Sequence, residues 1–252
     1  MRIVKRYVSL AEECLLGAAA IVYPQGDCGL RCKFCALVEG GDAEELLPRE
    51  LAEWLLASGA DSLLWCGVPD EEEARAARRW ARGLGAKAAF VFKGNGNESP
   101  GLLARGFGAW FDVYLPDLKF GDGSLATALC GKEYVSQCAL ALRSAAEILP
   151  PNKTVGGLLK RGLLARHLIL PGLPGNAERV IALFAPYARA HGWPLHLNAA
   201  YAPVRGPIPG FDALSRLVSQ AEHAQAALWA RERGIALVDG GVVGALPRQK
   251  RV

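Results

Sequence analysis

The sequence lacks any apolar run near the ~20 residues that a membrane-spanning helix requires, so no membrane segment is expected. It also lacks a concentrated basic patch. The net charge of +4 comes from scattered residues, and the one basic tail, Arg248-Gln-Lys-Arg251, is short and terminal. Nucleic acid is therefore not an expected partner. No internal repeat and no low-complexity linker breaks the chain. At 252 residues and 51% hydrophobic it reads as one domain over residues 1–252, with enough apolar material for one sizeable core. Methionine is almost absent, with Met1 alone. The cysteines number seven, an odd count with three in one loop, which argues against a secreted disulfide framework and for a reducing, cytoplasmic location. Arg2, Lys5 and Arg6 ahead of the apolar run Leu15–Tyr23 imitate the order of a signal peptide, but Glu12 and Glu13 interrupt it.

The stretch that organises the chain is Cys28-Gly-Leu-Arg-Cys32-Lys-Phe-Cys35. Its C-x3-C-x2-C spacing lets three thiolates converge on one metal centre without a long loop closure. A structural zinc or an ordinary iron–sulfur cluster takes four protein ligands. Three thiolates on a 4Fe-4S cube leave one iron open to a substrate. The alternative is a zinc loop completed by Cys14, Cys66, Cys130, Cys138 or a histidine. The cluster reading is favoured because no second C-x2-C or C-x-x-H pair occurs.

Strand-like and helix-like segments alternate along the chain. Strands are expected at Ala18–Tyr23, Asp61–Gly67, Lys87–Lys93, Asp112–Leu118, His167–Leu170 and Leu195–Ala199, with a further short one at Ala236–Asp239. Helices are expected at Pro48–Ser58, Asp70–Gly83, Ser99–Arg105, Ser124–Leu129, Tyr134–Ile148, Ala177–His191 and Ala213–Gly234, with Pro150–Gly157 as a turn-rich loop. The alternation predicts an α/β fold: a parallel sheet with helices outside, either an open doubly wound sheet or a partial barrel. In both, chemistry gathers at the C-terminal strand ends. Those ends carry Cys66-Gly67-Val68-Pro69-Asp70, Lys93-Gly94-Asn95-Gly96-Asn97, Asp117-Leu118-Lys119, Arg166-His167 and Asn198. Cys14, Cys130 and Cys138 read as packed or idle thiols; Cys66, at a strand end, reads as either a packed or a reactive thiol, with packing favoured. Trp54, Trp80 and Trp229 read as core.

With Phe34 just before its third cysteine, the loop resembles the signature of the radical S-adenosylmethionine (SAM) superfamily. Asp-x-Tyr-Leu-Pro-Asp-Leu-Lys (112–119) and Arg-His-Leu-Ile-Leu-Pro-Gly (166–172) resemble, within it, pyruvate formate-lyase activating enzyme and its uncharacterised activating-enzyme-like relatives. This likeness runs from the cysteine loop to the sixth strand. It implies a single-domain, partial (β/α)6 TIM-like barrel. It also implies an oxidoreductase in which Cys28, Cys32 and Cys35 ligate a 4Fe-4S cluster and SAM chelates the open iron. Reductive cleavage of SAM then gives methionine and a 5′-deoxyadenosyl radical that abstracts hydrogen from the substrate.

The implied cofactor-binding positions are Phe34, Gly67, Asn95, Asp117, Lys119 and Arg166, with His167 a weaker basic position. Asn95 and Asp117 would hold the SAM carboxylate region, in activating enzymes through a monovalent cation. The implied partners are a glycyl radical enzyme as protein substrate, or else a small molecule or peptide, and a flavodoxin or ferredoxin as electron donor. The chain shows no ferredoxin-type insert and no long C-terminal cluster domain. It departs from the family at the Gly-Gly-Glu element, replaced here by Cys66-Gly67-Val68-Pro69, with Asp70 displaced. That departure keeps a second class open, an iron–sulfur redox or binding module without turnover.

Overall fold

The computed structural model describes residues 1–10, 14–26, 28–36 and 43–238. In chain order the elements are β1 (Arg2–Ser9), β2 (Ala19–Pro24), β3 (Glu44–Glu45), α1 (Pro48–Ser58), β4 (Ser62–Cys66), α2 (Glu71–Gly83), β5 (Ala89–Gly94), α3 (Pro100–Gly106), β6 (Val113–Pro116), α4 (Gly123–Cys130) and α5 (Val135–Ile148). There follow β7 (Lys153–Val155), β8 (Leu158–Leu163), β9 (Ala165–Leu168), α6 (Pro174–His191), β10 (Leu195–Asn198) and α7 (Gln220–Glu232).

The expected mixed α/β architecture is present. Strands β2, β4, β5, β6 and β8 pair in parallel in that order. β9 continues β8 after Leu164 and pairs in parallel with β10. A bridge between Asp117 and Arg166, and the bond from Leu118 N–H to the Arg166 carbonyl (2.7 Å), carry the sheet from β6 onto β9. Six parallel positions result, and no pairing among the described residues joins β10 back to β2, so the barrel is partial and open.

The two faces of the sheet follow from strand alternation. Ile21, Leu64, Val91, Leu115 and Leu164 point inward and form one buried cluster. Val22, Trp65, Phe90, Phe92 and Tyr114 point outward into the larger core beneath the helices. Phe90 and Phe92 are fully buried, worth ~1.5–3 kcal/mol each in apolar transfer.

The helices obey local rules. α2 opens with Glu71, Glu72 and Glu73 behind an Asp70 cap whose carboxylate accepts from Glu73 N–H (2.9 Å), and it buries Ala74, Ala77 and Ala81. α3 starts at Ser99, which accepts from Leu102 N–H, followed by Pro100.

Several expectations are corrected. The basic N-terminal segment is a strand, β1, antiparallel to β2 with Tyr7 opposite Ile21. The loop at Pro150–Gly157 contains β7, which forms a hairpin with β8. β8 was hidden by its polar residues Lys160 and Arg161, so the fifth strand starts earlier than His167. The expected helix Ala213–Gly234 begins only at Gln220, because Ser219 and Glu222 form a reciprocal cap there. Trp80 is exposed, with the Arg49 guanidinium over its ring, and is not core. Trp54 and Trp229 are partly buried against the core. The last expected strand is reduced to one bridge, Leu195 to Leu237; Asp239 and the basic tail lie outside the described residues. No described helix is long and apolar enough to cross a membrane.

Candidate functional site

Alternation also builds the site. One step beyond the inward apolar layer, the same faces of β4, β5, β6 and β9 carry Cys66, Lys93, Asp117 and Arg166. Cys66 is in register with Lys93, and Asp117 is bridged to Arg166. Lys119 joins this group through its Nζ, 2.9 Å from Asp117 Oδ2, with both side chains largely buried. Burial would raise the Asp117 carboxyl, but the Lys119, Arg166 and Lys93 charges outweigh it and hold it well below the usual carboxylate range. Burial would likewise lower Lys119, yet Asp117 and the Cys32 sulfur raise it. Asp117 Oδ1 is buried and has no hydrogen-bond partner among the described residues. Three cations around one carboxylate leave this layer net positive.

The cysteine loop leaves the C-terminal end of β2 and lies beside that layer. None of the six cysteines whose side chains are described is in a disulfide. Cys28 is exposed; Cys32 and Cys35 are half-buried. Cys35 N–H donates to the Cys32 carbonyl (3.0 Å), and Lys33 N–H donates to the Leu129 carbonyl at the end of α4 (2.8 Å). Burial pushes the Cys32 thiol up to about 12, against the pull of Lys119, with Cys130, Cys28 and Cys35 adding to the rise. Lys119 is thus the cation shared by Asp117 and the loop.

No three His, Cys, Asp or Glu side chains converge as a metal cage among the described residues. The donor set itself, three thiols in one loop beside a cation, is the soft thiolate type that iron–sulfur clusters take. Cys130 and Cys138 are buried, as expected of packed thiols, and Cys66 is half-buried against the inward apolar cluster. The side chain of Cys14 lies outside the described residues.

The other expected positions divide. Phe34 is buried, with its ring against Phe120 (6.0 Å between centroids) and Tyr201 (6.3 Å), so it pins the loop to the core. Gly67 has φ +109°, and an added Cβ would meet nothing nearer than 4.0 Å; the backbone conformation rather than space calls for glycine. Asp70 is committed to capping α2 and does not replace the missing glutamate. Asn95 donates from Nδ2 to the Cys28 carbonyl (2.6 Å) and to Cys28 Sγ (3.4 Å). His167 is corrected: it lies one residue past inward-facing Arg166, is fully buried, and engages the Leu118 carbonyl through Nδ1 (2.6 Å). Burial pushes its pKa down, so it is a neutral core histidine rather than a basic ligand.

Two residues were missed. Glu98, buried, accepts Asn95 N–H at Oε1 (2.6 Å) and the Tyr114 hydroxyl at Oε2. Tyr134, fully buried, donates to the Asn95 carbonyl (2.7 Å) and accepts Lys119 N–H (3.0 Å), tying the ends of β5 and β6 together. An acid inside the glycine-rich run Gly94-Asn95-Gly96-Asn97-Glu98 was the one available signal.

No protein-family model matches the chain, and no curated protein matches it. Solved structures do. SuiB of Streptococcus suis bound to S-adenosylmethionine superposes with a TM-score of 0.55 at 14% identity, covering 86% of this chain and 49% of SuiB. SuiB bound to the precursor peptide SuiA gives 0.55 at 13%, covering 86% and 47%. The protein anSMEcpe with bound AdoMet gives 0.53 at 11%, covering 87% and 63%. The chain thus spans about half the length of SuiB and under two thirds of anSMEcpe. At these identities the likeness is one of fold, and that fold is shared with proteins solved with S-adenosylmethionine bound.

Proposed function

We propose that this chain is a radical SAM enzyme acting on a polypeptide, with Cys28, Cys32 and Cys35 as ligands of a 4Fe-4S cluster. The observation that supports this most is the juxtaposition of the three-thiol loop with the half-buried layer Lys93, Asp117, Lys119 and Arg166 at the strand C-termini. When bound, the cluster supplies the electron that splits SAM into methionine and a 5′-deoxyadenosyl radical. The chain's residues bind, orient and exclude water. Lys93, Lys119 and Arg166 outnumber Asp117, which suits a carboxylate ligand such as that of SAM. Asp117 Oδ1 offers an acceptor for the SAM amino group or for a monovalent cation. The buried apolar layer of Ile21, Leu64, Val91 and Leu115 beneath would close the floor of the site to water.

The motifs at 112–119 and 166–172 favour activation of a glycyl radical enzyme, with a flavodoxin or ferredoxin as donor in the cytoplasm. A second reading, modification of a peptide, is favoured by the fold shared with SuiB, which was solved with a precursor peptide. Anaerobic reconstitution with iron and sulfide, reduction with dithionite and addition of SAM should yield 5′-deoxyadenosine. Cys32→Ala should lose both the cluster absorbance and this product. Cleavage surviving in Cys32→Ala would overturn the ligand set, and a loaded cluster that never cleaves SAM would leave the non-catalytic module. With candidate substrates, a glycyl radical signal by EPR marks the activase and a mass change on a peptide marks the second reading.

A further inference from the structure

Asn95 has a partner for each polar atom of its side chain. Its Oδ1 accepts Asn97 N–H (2.9 Å), closing a short turn. A backbone N–H can only donate, so this bond fixes which side-chain atom is oxygen and leaves Nδ2 facing Cys28. Nδ2 then donates to the Cys28 carbonyl (2.6 Å) and to Cys28 Sγ (3.4 Å). The turn itself needs only the oxygen; aspartate would close it equally well. The amide is therefore required by Cys28 and not by the turn. Behind Asn95, its N–H is held by Glu98 and its carbonyl by the Tyr134 hydroxyl, both buried groups, so its placement is fixed on two sides.

We propose that the Asn95 side-chain amide is a hydrogen-bond donor to the Cys28 ligand that raises the cluster's reduction potential, with Glu98 and Tyr134 as positioning residues. This rests on the reading that Cys28 holds a cluster. An N–H donor stabilises negative charge on a ligand sulfur. The reduced cluster carries one more negative charge than the oxidised one, so it gains more from the bond and the potential rises. Asn95→Asp keeps the acceptor for Asn97 N–H and removes the donor, adding a negative charge beside the sulfur. Asn95→Ala removes both the acceptor and the donor without adding charge.

The experiment is redox titration of the reconstituted protein followed by EPR, with iron and sulfide analysis beside it and no substrate present. At a fixed ambient potential, Asn95→Asp should show a reduced-to-oxidised cluster ratio about tenfold below wild type, a shift of about 59 mV for one electron. Asn95→Ala should shift the same way by less. The potential of Glu98→Ala should lie below that of Glu98→Gln, which removes the same carboxyl but keeps an acceptor for Asn95 N–H, so the difference between the two reads the positioning of Asn95 alone. A variant that keeps its fold by circular dichroism but loses iron overturns the tuning role, since Asn95 would then hold the ligand loop rather than set the potential. Full loading with a wild-type potential in both Asn95 variants overturns it. Wild-type protein that takes up no iron–sulfur cluster overturns the reading beneath it instead.

Discussion

Gly96 sits where the turn after β5 meets the hydroxyl that joins two strand ends. Its φ is +80°, and a Cβ there would lie on the Tyr134 hydroxyl, with the Asp117 carbonyl oxygen 3.4 Å away. Gly96→Ala therefore has two costs. Holding a residue with a side chain in the left-handed region costs ~1–2 kcal/mol. Pushing the buried Tyr134 hydroxyl off Asn95 O and Lys119 N strands those groups, at ~1–3 kcal/mol. The total of ~2–5 kcal/mol corresponds to about 2–4 °C of melting temperature per kcal/mol in a chain of this size.

Gly131→Ala isolates the first cost, because Gly131 has φ +73° and no atom within 4 Å of an added Cβ. In a Tyr134→Phe background the obstructing hydroxyl is gone, so Gly96→Ala should fall to about the Gly131→Ala cost. Urea unfolding of the two single variants and the double variant should show a coupling of ~1–3 kcal/mol. Additive costs, or a Gly96→Ala no worse than Gly131→Ala, would refute the idea that Tyr134 is held against this turn.

Asp112 supports the other side of the sheet. It is buried between Arg78 and Arg82 and accepts Phe90 N–H (3.2 Å). Burial, and then the neighbouring Arg82 charge, already push Arg78 down. Asp112→Ala should cost ~2–4 kcal/mol by urea unfolding, since it strands the half-buried Arg78 guanidinium and the Phe90 N–H, and a cost below about 1 kcal/mol would sink the argument. Glu98 makes a pH prediction. Burial, partly offset by the Tyr114 hydroxyl and Asn95 N–H, raises its carboxyl above the ordinary value of 4.5. A raised folded pKa means that the native state holds the proton longer than the unfolded chain. The stability it contributes is complete below that ordinary value and is lost as pH rises through the folded one. Glu98→Gln removes this dependence, so its urea midpoint should gain on wild type from pH 4.5 upward; parallel pH profiles would contradict it.

The parallel strands β2, β4, β5 and β6 were legible because each holds a continuous apolar run, as strands buried on both faces must. Asp-Ser-Leu-Leu-Trp-Cys-Gly declares itself in this way, and Leu195–Ala199 does so by alternating apolar and polar residues. β1 and β8 did not. Both carry adjacent charges inside the strand, Lys5-Arg6 and Lys160-Arg161, and β1 begins Arg2-Ile-Val-Lys-Arg-Tyr, which mimics a leader rather than a strand. Their strand state comes from pairing with β2 and β6, a contact that no local window contains. The start of α7 was missed for the opposite reason: the helical pattern continues upstream of Ser219, but its cap with Glu222, reinforced by two bonds from Arg216 (both 2.8 Å), starts the helix there.

The site divides along the same line. Ligand spacing is a local property, so three thiols within eight residues could be read directly, and residues one step past each apolar strand could be read from alternation. What fixes their positions is not local. Tyr134 meets Asn95 across 39 residues, and Asn95 meets Cys28 across 67. The line from Glu98 through Asn95 to Cys28 exists only because β5 stands beside β4, and β4 beside β2, in a parallel sheet whose loops all leave by the same end. A parallel sheet brings the tips of distant strands to one rim, and at that rim a buried carboxylate can hold a turn whose amide reaches a cysteine. The order of the strands therefore does chemical work here that the cysteine spacing cannot do by itself, and it explains why a turn residue of β5, rather than a neighbour in the loop, supports Cys28.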